Sequence, residues 1–366
     1  MKHFLFRCLY FLQVHHLIRY LWRDKGIILM YHGFTDRKVH EGIENYQGKH
    51  LHVERFRSQL EYLKKYHRIV SLDQLVDSYS SSKTAPSYCA VITIDDGYRS
   101  NYTLAFPILR QLRVPATIFL TTSFVENKEP LWMDRIEYAI NKANPNRFEF
   151  KVYSEGNKAS AIPVEFDDRK SRVESERRIR TKLKTTPQEF RSEIIGTLEE
   201  RLERRIFQDP AFPEIYQPLE WSDIKEMIES GLISAGSHSH THAVLTRCEP
   251  ETLRRELGLS REIIEKRTAS RCQLFCYPNG NIGDFNEGTK RILKEAGYVC
   301  ALTTVPGVND RRSDLFEMKR VGVPYQGDLV EFVMYLYGVA QFFSNIKQTF
   351  LKLMGFRNKN GSDAAN

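Results

Sequence analysis

Residues Val91-Ile92-Thr93-Ile94-Asp95-Asp96-Gly97 form an apolar run closed by two adjacent carboxylates and a glycine. Alternating β-branched residues read as a buried strand, and Gly97 permits a sharp exit from it. Two neighbouring aspartates at a strand end are costly to desolvate as bare anions. A cation beside them resolves the conflict, and the chain offers further ligands at Gly236-Ser237-His238-Ser239-His240-Thr241-His242. One carboxylate with two imidazoles is a workable donor set for a zinc that keeps an open position. The second carboxylate is then free to act as a base. That is the outline of a metal hydrolase.

Around this strand the chain alternates. Strand-like runs at 26–33, 69–72, 116–122, 232–235, 273–277 and 299–303 are separated by helical patterns at 54–66, 101–112, 222–230, 250–267 and 286–296. This rhythm argues for a parallel sheet or barrel covered by helices. Residues 35–50 read as a polar loop. The region 141–218 breaks the rhythm: it is strongly charged, and 169–205 reads as surface helices, an arginine-rich candidate rim for an anionic substrate. The organisation expected is an amphipathic N-terminal helix (1–25), a main domain (26–327) carrying that insertion, and an amphipathic C-terminal segment with a flexible tail (328–366).

With 366 residues, 41% of them hydrophobic, the chain can bury the core of one large α/β domain. Its six cysteines form no Cys-x-x-Cys pair and read as reduced, mostly buried thiols. A net charge of +8 favours an acidic partner: an anionic glycan, a lipid-phosphate-linked sugar or a membrane surface. Nucleic acid is not expected, because the bases are interleaved with acids. The segment 1–22 is apolar and basic, but Arg7, Gln13, His15 and His16 interrupt it and no small-residue cleavage site follows. The expectation is a cytoplasmic protein without a cleavable signal peptide, its N-terminal helix packed on the domain or resting peripherally on the inner membrane. The oligomeric state cannot be read from the sequence.

Thr93-Ile94-Asp95-Asp96-Gly97 resembles the first motif of the polysaccharide deacetylases, the NodB-homology or carbohydrate esterase 4 group. His238-x-x-x-His242, preceded by Gly-Ser and followed by Leu245, resembles their second, and the order and separation of about 140 residues agree. The resemblance runs over 26–326. It implies a distorted parallel (β/α) barrel of about seven strands, with the site at the carboxyl ends of the strands. It implies Asp96, His238 and His242 as ligands of a divalent metal, zinc first, with cobalt, nickel or ferrous iron as alternatives. Asp95 becomes the general base. The i, i+4 spacing puts two histidines on one helical face and turns His240 away.

The family's third motif, usually Arg-x-Pro-Tyr-Gly, corresponds here to Cys276-Tyr277-Pro278-Asn279-Gly280. By this resemblance the Asn279 amide donates to the oxyanion and Tyr277 lines the sugar pocket. Cys276 stands where the family has an arginine that orients the catalytic aspartate, and Arg320 is the candidate replacement. No histidine follows His242, so the late histidine that protonates the leaving amine is missing. A permuted branch, which includes exported poly-N-acetylglucosamine deacetylases, carries that histidine early in a Tyr-His pair. Tyr31-His32 resembles it, implying His32 as general acid. Nothing in their spacing assigns a role to His50 or His52.

The function expected is metal-dependent removal of N-acetyl groups from amino sugars of a polysaccharide or lipid-linked glycan. The alternatives are a deformylase or deacetylase of a small nucleotide- or lipid-linked sugar, and an inactive carbohydrate-binding protein on the same scaffold.

Overall fold

Short, mostly buried runs form the staves of a barrel. The computed structural model describes residues 2–81, 86–154, 158–206, 209 and 213–353. In chain order its strands are β1 (Ile27–Tyr31), β2 (Gly33–Thr35), β3 (His50–His52), β4 (Arg68–Ile69), β5 (Cys89–Ile94), β6 (Ala116–Leu120), β7 (Arg147–Ser154), β8 (Lys158–Glu165), β9 (Ile233–Ser237), β10 (Leu274–Cys276), β11 (Cys300–Pro306) and β12 (Met318–Gly322). Seven of them, in the order β1-β12-β11-β10-β9-β6-β5, are parallel neighbours, and β5 returns to β1 to close the ring. The short β4 adds to β5 from outside the ring. This is the expected distorted (β/α)7 barrel. Among its strands, β12 had no signal in the strand–helix rhythm.

Side chains alternate across each strand, so each stave feeds two cores. Ile28, Val91, Phe119, Leu274, Cys276, Cys300, Leu302 and Met318 share one cluster inside the barrel. Ile27, Leu29, Ile92, Ile94, Ile118 and Leu120 join a second one beneath the covering helices. Strands buried on both faces explain why the sequence is apolar without interruption, as in β1, β5 and β6. Helix Leu72–Ser80 starts from a Ser71–Gln74 capping box and sends Leu72, Leu75 and Val76 into the inner cluster.

Three regions depart from expectation. The loop over 35–50 is bracketed by a parallel β2–β3 pair, with Gly33 opposite His50 and Thr35 opposite His52. The charged insertion contains an antiparallel β7–β8 hairpin as well as helices Arg169–Lys184 and Gln188–Leu202. Together with helix Trp132–Lys142 they enclose their own apolar cluster, including Ile136, Phe150, Val164, Ile179, Leu183 and Leu198. Even Arg191 is buried there: its guanidinium lies 5.0 Å from the Trp132 ring centre and donates to the Leu183 carbonyl at 3.2 Å. Finally, the N-terminal segment is two helices, Lys2–Phe11 and Val14–Leu21, broken at Gln13 with φ 57. The C-terminal segment gives helices Leu329–Leu336 and Val339–Leu353, and the expected tail beyond lies outside the described residues.

Candidate active site

Strand parity delivers the first half of the site. Asp95 follows Val91 and Thr93 on the inward side of β5, Cys276 follows Leu274 on β10, and Arg320 follows Met318 on β12. All three meet at the carboxyl end of the lumen. Arg320 Nη1 donates to Asp95 Oδ1 at 2.8 Å, and Nη2 lies 2.8 Å from Oδ2. Its Nε donates to the Thr303 carbonyl at 2.8 Å, and Nη1 also reaches Thr93 Oγ1 at 3.2 Å. The Cys276 thiol contacts Asp95 Oδ2 at 3.5 Å. Burial alone would raise the Asp95 carboxyl, but Arg320, together with His238 and His32, outweighs it and holds Asp95 below the usual carboxylate range. The same burial pushes the Cys276 thiol well up, so it stays protonated.

Asp96 breaks the parity. Its φ of 75 turns the second carboxylate out of the strand and towards the mouth of the barrel. There Asp96 Oδ1 lies 3.6 Å from His238 Nε2 and 3.4 Å from His242 Nε2. The three ligand atoms fall within 4.8 Å of one another and all three residues are buried. Neither Asp96 oxygen has a hydrogen-bond partner among the described residues. Burial opposes its ionisation, but His242, then His32 and His238, outweigh that and keep Asp96 well below the usual range. His238 Nδ1 donates to the Cys276 carbonyl at 2.8 Å, which leaves the Nε2 lone pair aimed at Asp96. Burial lowers His238 to about 4, so its imidazole is neutral and ligand-ready near pH 7. An unpaired buried carboxylate between two imidazoles, one of them fixed in its ligand tautomer, fits a divalent cation of the zinc type.

The two histidines do not converge through a helix, contrary to the i, i+4 expectation. His238 follows β9 directly, and the chain continues as a loop in which Ser239 (φ 63) and His242 (φ 56) are left-handed. Glu256, from helix Pro250–Thr268, clamps that loop by accepting from the His240 and Thr241 amides, both at 2.9 Å, and from Thr241 Oγ1 at 2.6 Å. His240 turns away and shares a hydrogen bond with Thr122 Oγ1 at 2.9 Å.

His32 continues the inward parity of Ile28 and Met30 beyond β1, and its Nε2 lies 3.9 Å from Asp95 Oδ2. Burial lowers its pKa against the pull of Asp96 and Asp95. Asn279 sits in a tight turn with φ 63, its carbonyl accepting from Thr304 Oγ1 at 2.7 Å. Gly280 follows with φ 66, and a Cβ there would come within 2.9 Å of the Thr304 nitrogen. Tyr277 borders the cavity, but its ring stacks on Phe285 and its hydroxyl donates to the Phe316 carbonyl at 2.9 Å. His50 is buried with its ring against Tyr98.

Asp95, Asp96, His32, His238, His242 and Asn279 open into one cavity that is continuous with solvent. The cavity is also lined by Gln47, Gly48 and Lys49, which sequence reasoning did not find, and by Arg180 and Lys184 of the insertion, which it named only within the arginine-rich candidate rim 169–205. Lys49 pairs with Asp134 and donates to Tyr98 at 3.2 Å. Burial would lower Lys49, but Asp134 and Glu137 outweigh it and keep the ammonium charged. Lys49 carried no signal because its position depends on the β2–β3 pair. Arg180 and Lys184 were visible only as members of a charge run.

A family model described as polysaccharide deacetylase matches residues 82–301, more than half of the chain. A putative polysaccharide deacetylase of Bacillus subtilis (strain 168), YxkH, is 29% identical over 100 residues, a match that takes in 27% of this chain and 34% of that protein. In fold, the barrel is similar to the Streptococcus pyogenes deacetylase PplD, solved in complex with acetate (TM-score 0.55, 17% identity, 86% of this chain and 98% of that one). It is also similar to IcaB from Ammonifex degensii (TM-score 0.53, 17% identity, 86% and 97%). The matched span holds Asp95, Asp96, His238, His242 and Asn279, while His32, just after β1, and Arg320, on β12, lie outside it and are brought in by closure of the ring. The chain belongs to the polysaccharide deacetylase family.

Proposed function

We propose that the protein hydrolyses the N-acetyl group of an amino sugar within a polysaccharide or lipid-linked glycan, with a divalent cation bound at Asp96, His238 and His242. The observation that carries this reading is the division of labour between adjacent carboxylates. Asp95 is gripped by Arg320, whereas Asp96 is unpaired beside two imidazoles. The cation, zinc by its donor set, would polarise the acetamide carbonyl and acidify water.

The chain's own groups supply the rest. Arg320 fixes the rotamer of Asp95 and keeps it ionised, so that it can accept a proton from the attacking water. The water oxygen bonds to the carbonyl carbon, and the developing oxyanion receives the backbone N–H of the Asn279 turn. His32, 3.9 Å from Asp95, returns a proton to the amide nitrogen as the C–N bond breaks, giving acetate and a free amine. A neutral resting His32 suits that cycle, because the proton leaving water and the proton reaching nitrogen pass through one adjacent pair. What favours a working site over an inactive binding scaffold is that Asp95 still receives an arginine although Cys276 occupies the family's arginine position.

The test is to incubate the metal-reconstituted protein with acetylated glucosamine oligomers and with a nucleotide-linked N-acetylglucosamine, and to assay acetate and new primary amine. Equal yields of both products, from the oligomers, are expected. Turnover of the nucleotide sugar alone would replace this reading with the small-substrate one.

A further inference from the structure

We propose that a cavity between the charged insertion and the histidine loop binds a phosphate group that keeps one acidic proton, either free hydrogenphosphate or a phosphate monoester. Trp132, Gln188, Arg191 and Ser192 border this cavity, together with Thr241 of the histidine loop. It is separate from the catalytic cavity, with which it shares no lining residue. The proposal therefore stands independently of the cation assigned to Asp96, His238 and His242.

Two buried donors border the cavity unanswered. Arg191 is 2% exposed and Trp132 7%. The Arg191 Nε and Nη2 groups donate to the Leu183 and Thr186 carbonyls at 3.2 and 3.3 Å, but Nη1 has no partner and the guanidinium pairs with no carboxylate. Burial lowers Arg191 to about 10 against the pull of Cys248 and Glu256, so it remains a cation at neutral pH. Trp132 Nε1 is likewise buried without an acceptor. Water can satisfy an N–H group, but it leaves a buried positive charge uncompensated. The neighbouring charges do not compensate it either. Arg135 and Glu199 neutralise each other at 2.9 and 2.6 Å, Glu256 is engaged by the histidine loop, and Glu129 lines the cavity only from its exposed rim. Helix Gln188–Leu202 adds its positive end. Gln188, Arg191, Ser192 and Ile195 recur at helical spacing and set its first two turns against the cavity, and no side chain caps it.

Gln188 selects the kind of anion. Its Nε2 donates to Thr241 Oγ1 at 2.9 Å, and that hydroxyl donates in turn to Glu256 at 2.6 Å. This chain fixes the orientation of the amide and leaves its Oε1, buried and unpartnered, as an acceptor on the cavity. A matching ligand accepts from Arg191 and Trp132 and also donates one O–H to Gln188. Hydrogenphosphate and a singly protonated phosphate monoester do both. Chloride and an ionised carboxylate have no proton to give.

Isothermal titration of the full chain with inorganic phosphate, N-acetylglucosamine 1-phosphate, acetate and chloride tests this, on wild type, Arg191→Met, Trp132→Phe and His238→Ala. Phosphate is expected to bind saturably, to survive His238→Ala, to weaken about tenfold in Trp132→Phe and about a hundredfold or more in Arg191→Met. Trp132→Phe keeps a ring beneath Arg191 and removes only the indole N–H, so it carries the comparison should Arg191→Met misfold. Tighter binding of the sugar phosphate than of inorganic phosphate, retained in His238→Ala, would support the site as one for a phosphorylated sugar; equal affinities would support free phosphate. No binding by wild type, undiminished binding by the Arg191 and Trp132 variants, or equally tight binding of acetate or chloride would overturn the proposal. So would loss of binding in His238→Ala alone, which would put the phosphate on the catalytic cation and leave the deacetylase reading standing.

Discussion

Arg320 of β12 holds both carboxylate oxygens of Asp95 of β5, each at 2.8 Å, across the one strand that separates them in the barrel. Both residues are about 1% exposed, so the pair is isolated from water and each charge depends on the other. Replacing Arg320 with Met strands a buried carboxylate, and the expected loss of stability is about 3–5 kcal/mol by urea unfolding. Turnover should fall about a hundredfold or more, because Asp95 loses both its orientation and its ionisation. Arg320→Lys keeps the charge without the fork and should lie between these limits. Cys276→Ala, by contrast, removes only a neutral thiol and should leave turnover within a few-fold of wild type.

His32 is assigned to protonation of the leaving nitrogen, and that role predicts a dependence on the leaving group. His32→Gln should reduce acetamide hydrolysis by about 10²–10⁴-fold. Hydrolysis of an aryl acetate, whose phenolate leaves unaided, should fall far less. Equal losses on the two substrates would assign His32 to positioning instead.

Glu256 touches no proposed metal ligand yet fixes the loop between His238 and His242 through three accepted hydrogen bonds. Glu256→Ala should weaken divalent-metal affinity about 10–100-fold, read by competition with a chromophoric chelator.

Glu137, which accepts from the Asn45 amide at 3.1 Å and the Tyr216 hydroxyl at 2.9 Å, is raised by burial from 4.5 to about 7 despite Lys49. The folded state thus binds this proton more tightly than the unfolded chain. Its contribution is fully present below pH 4.5 and is lost as pH rises through about 7. Glu137→Gln cannot ionise, so the variant should gain up to about 3 kcal/mol on wild type between pH 4.5 and pH 8 in denaturant titrations. A difference that does not vary with pH would contradict the buried ionisation.

Much of this was legible from residue order. The run into Asp95-Asp96-Gly97 announces a stave buried on both faces, and the Asp–Asp and His-x-x-x-His motifs carry enough chemistry to be paired across the chain. What residue order could not place are relationships made by closure, even where the residue itself, as with Arg320, was named. Arg320 faces Asp95 because β12 and β5 both flank β1, and only strand parity within a closed ring puts the two on the inside. Lys49 reaches the cavity because a three-residue parallel pair folds back the loop before it, too short a signal for alternation. The histidine loop was misread as helical because i, i+4 spacing fits a helix, whereas left-handed Ser239 and His242 achieve the convergence. In the insertion, bases and acids masked the sparse apolar positions of a separate core.

The most direct test of the central claim is acetate release from acetylated glucosamine oligomers by wild type and Asp95→Asn, with bound metal quantified on both by elemental analysis. Separate duties for the two aspartates predict about one divalent cation per chain in each protein, with turnover in the variant reduced about 10²–10⁴-fold. If Asp95→Asn turns over at the wild-type rate, or loses its metal as His238→Ala should, the division between Asp95 and Asp96 is wrong.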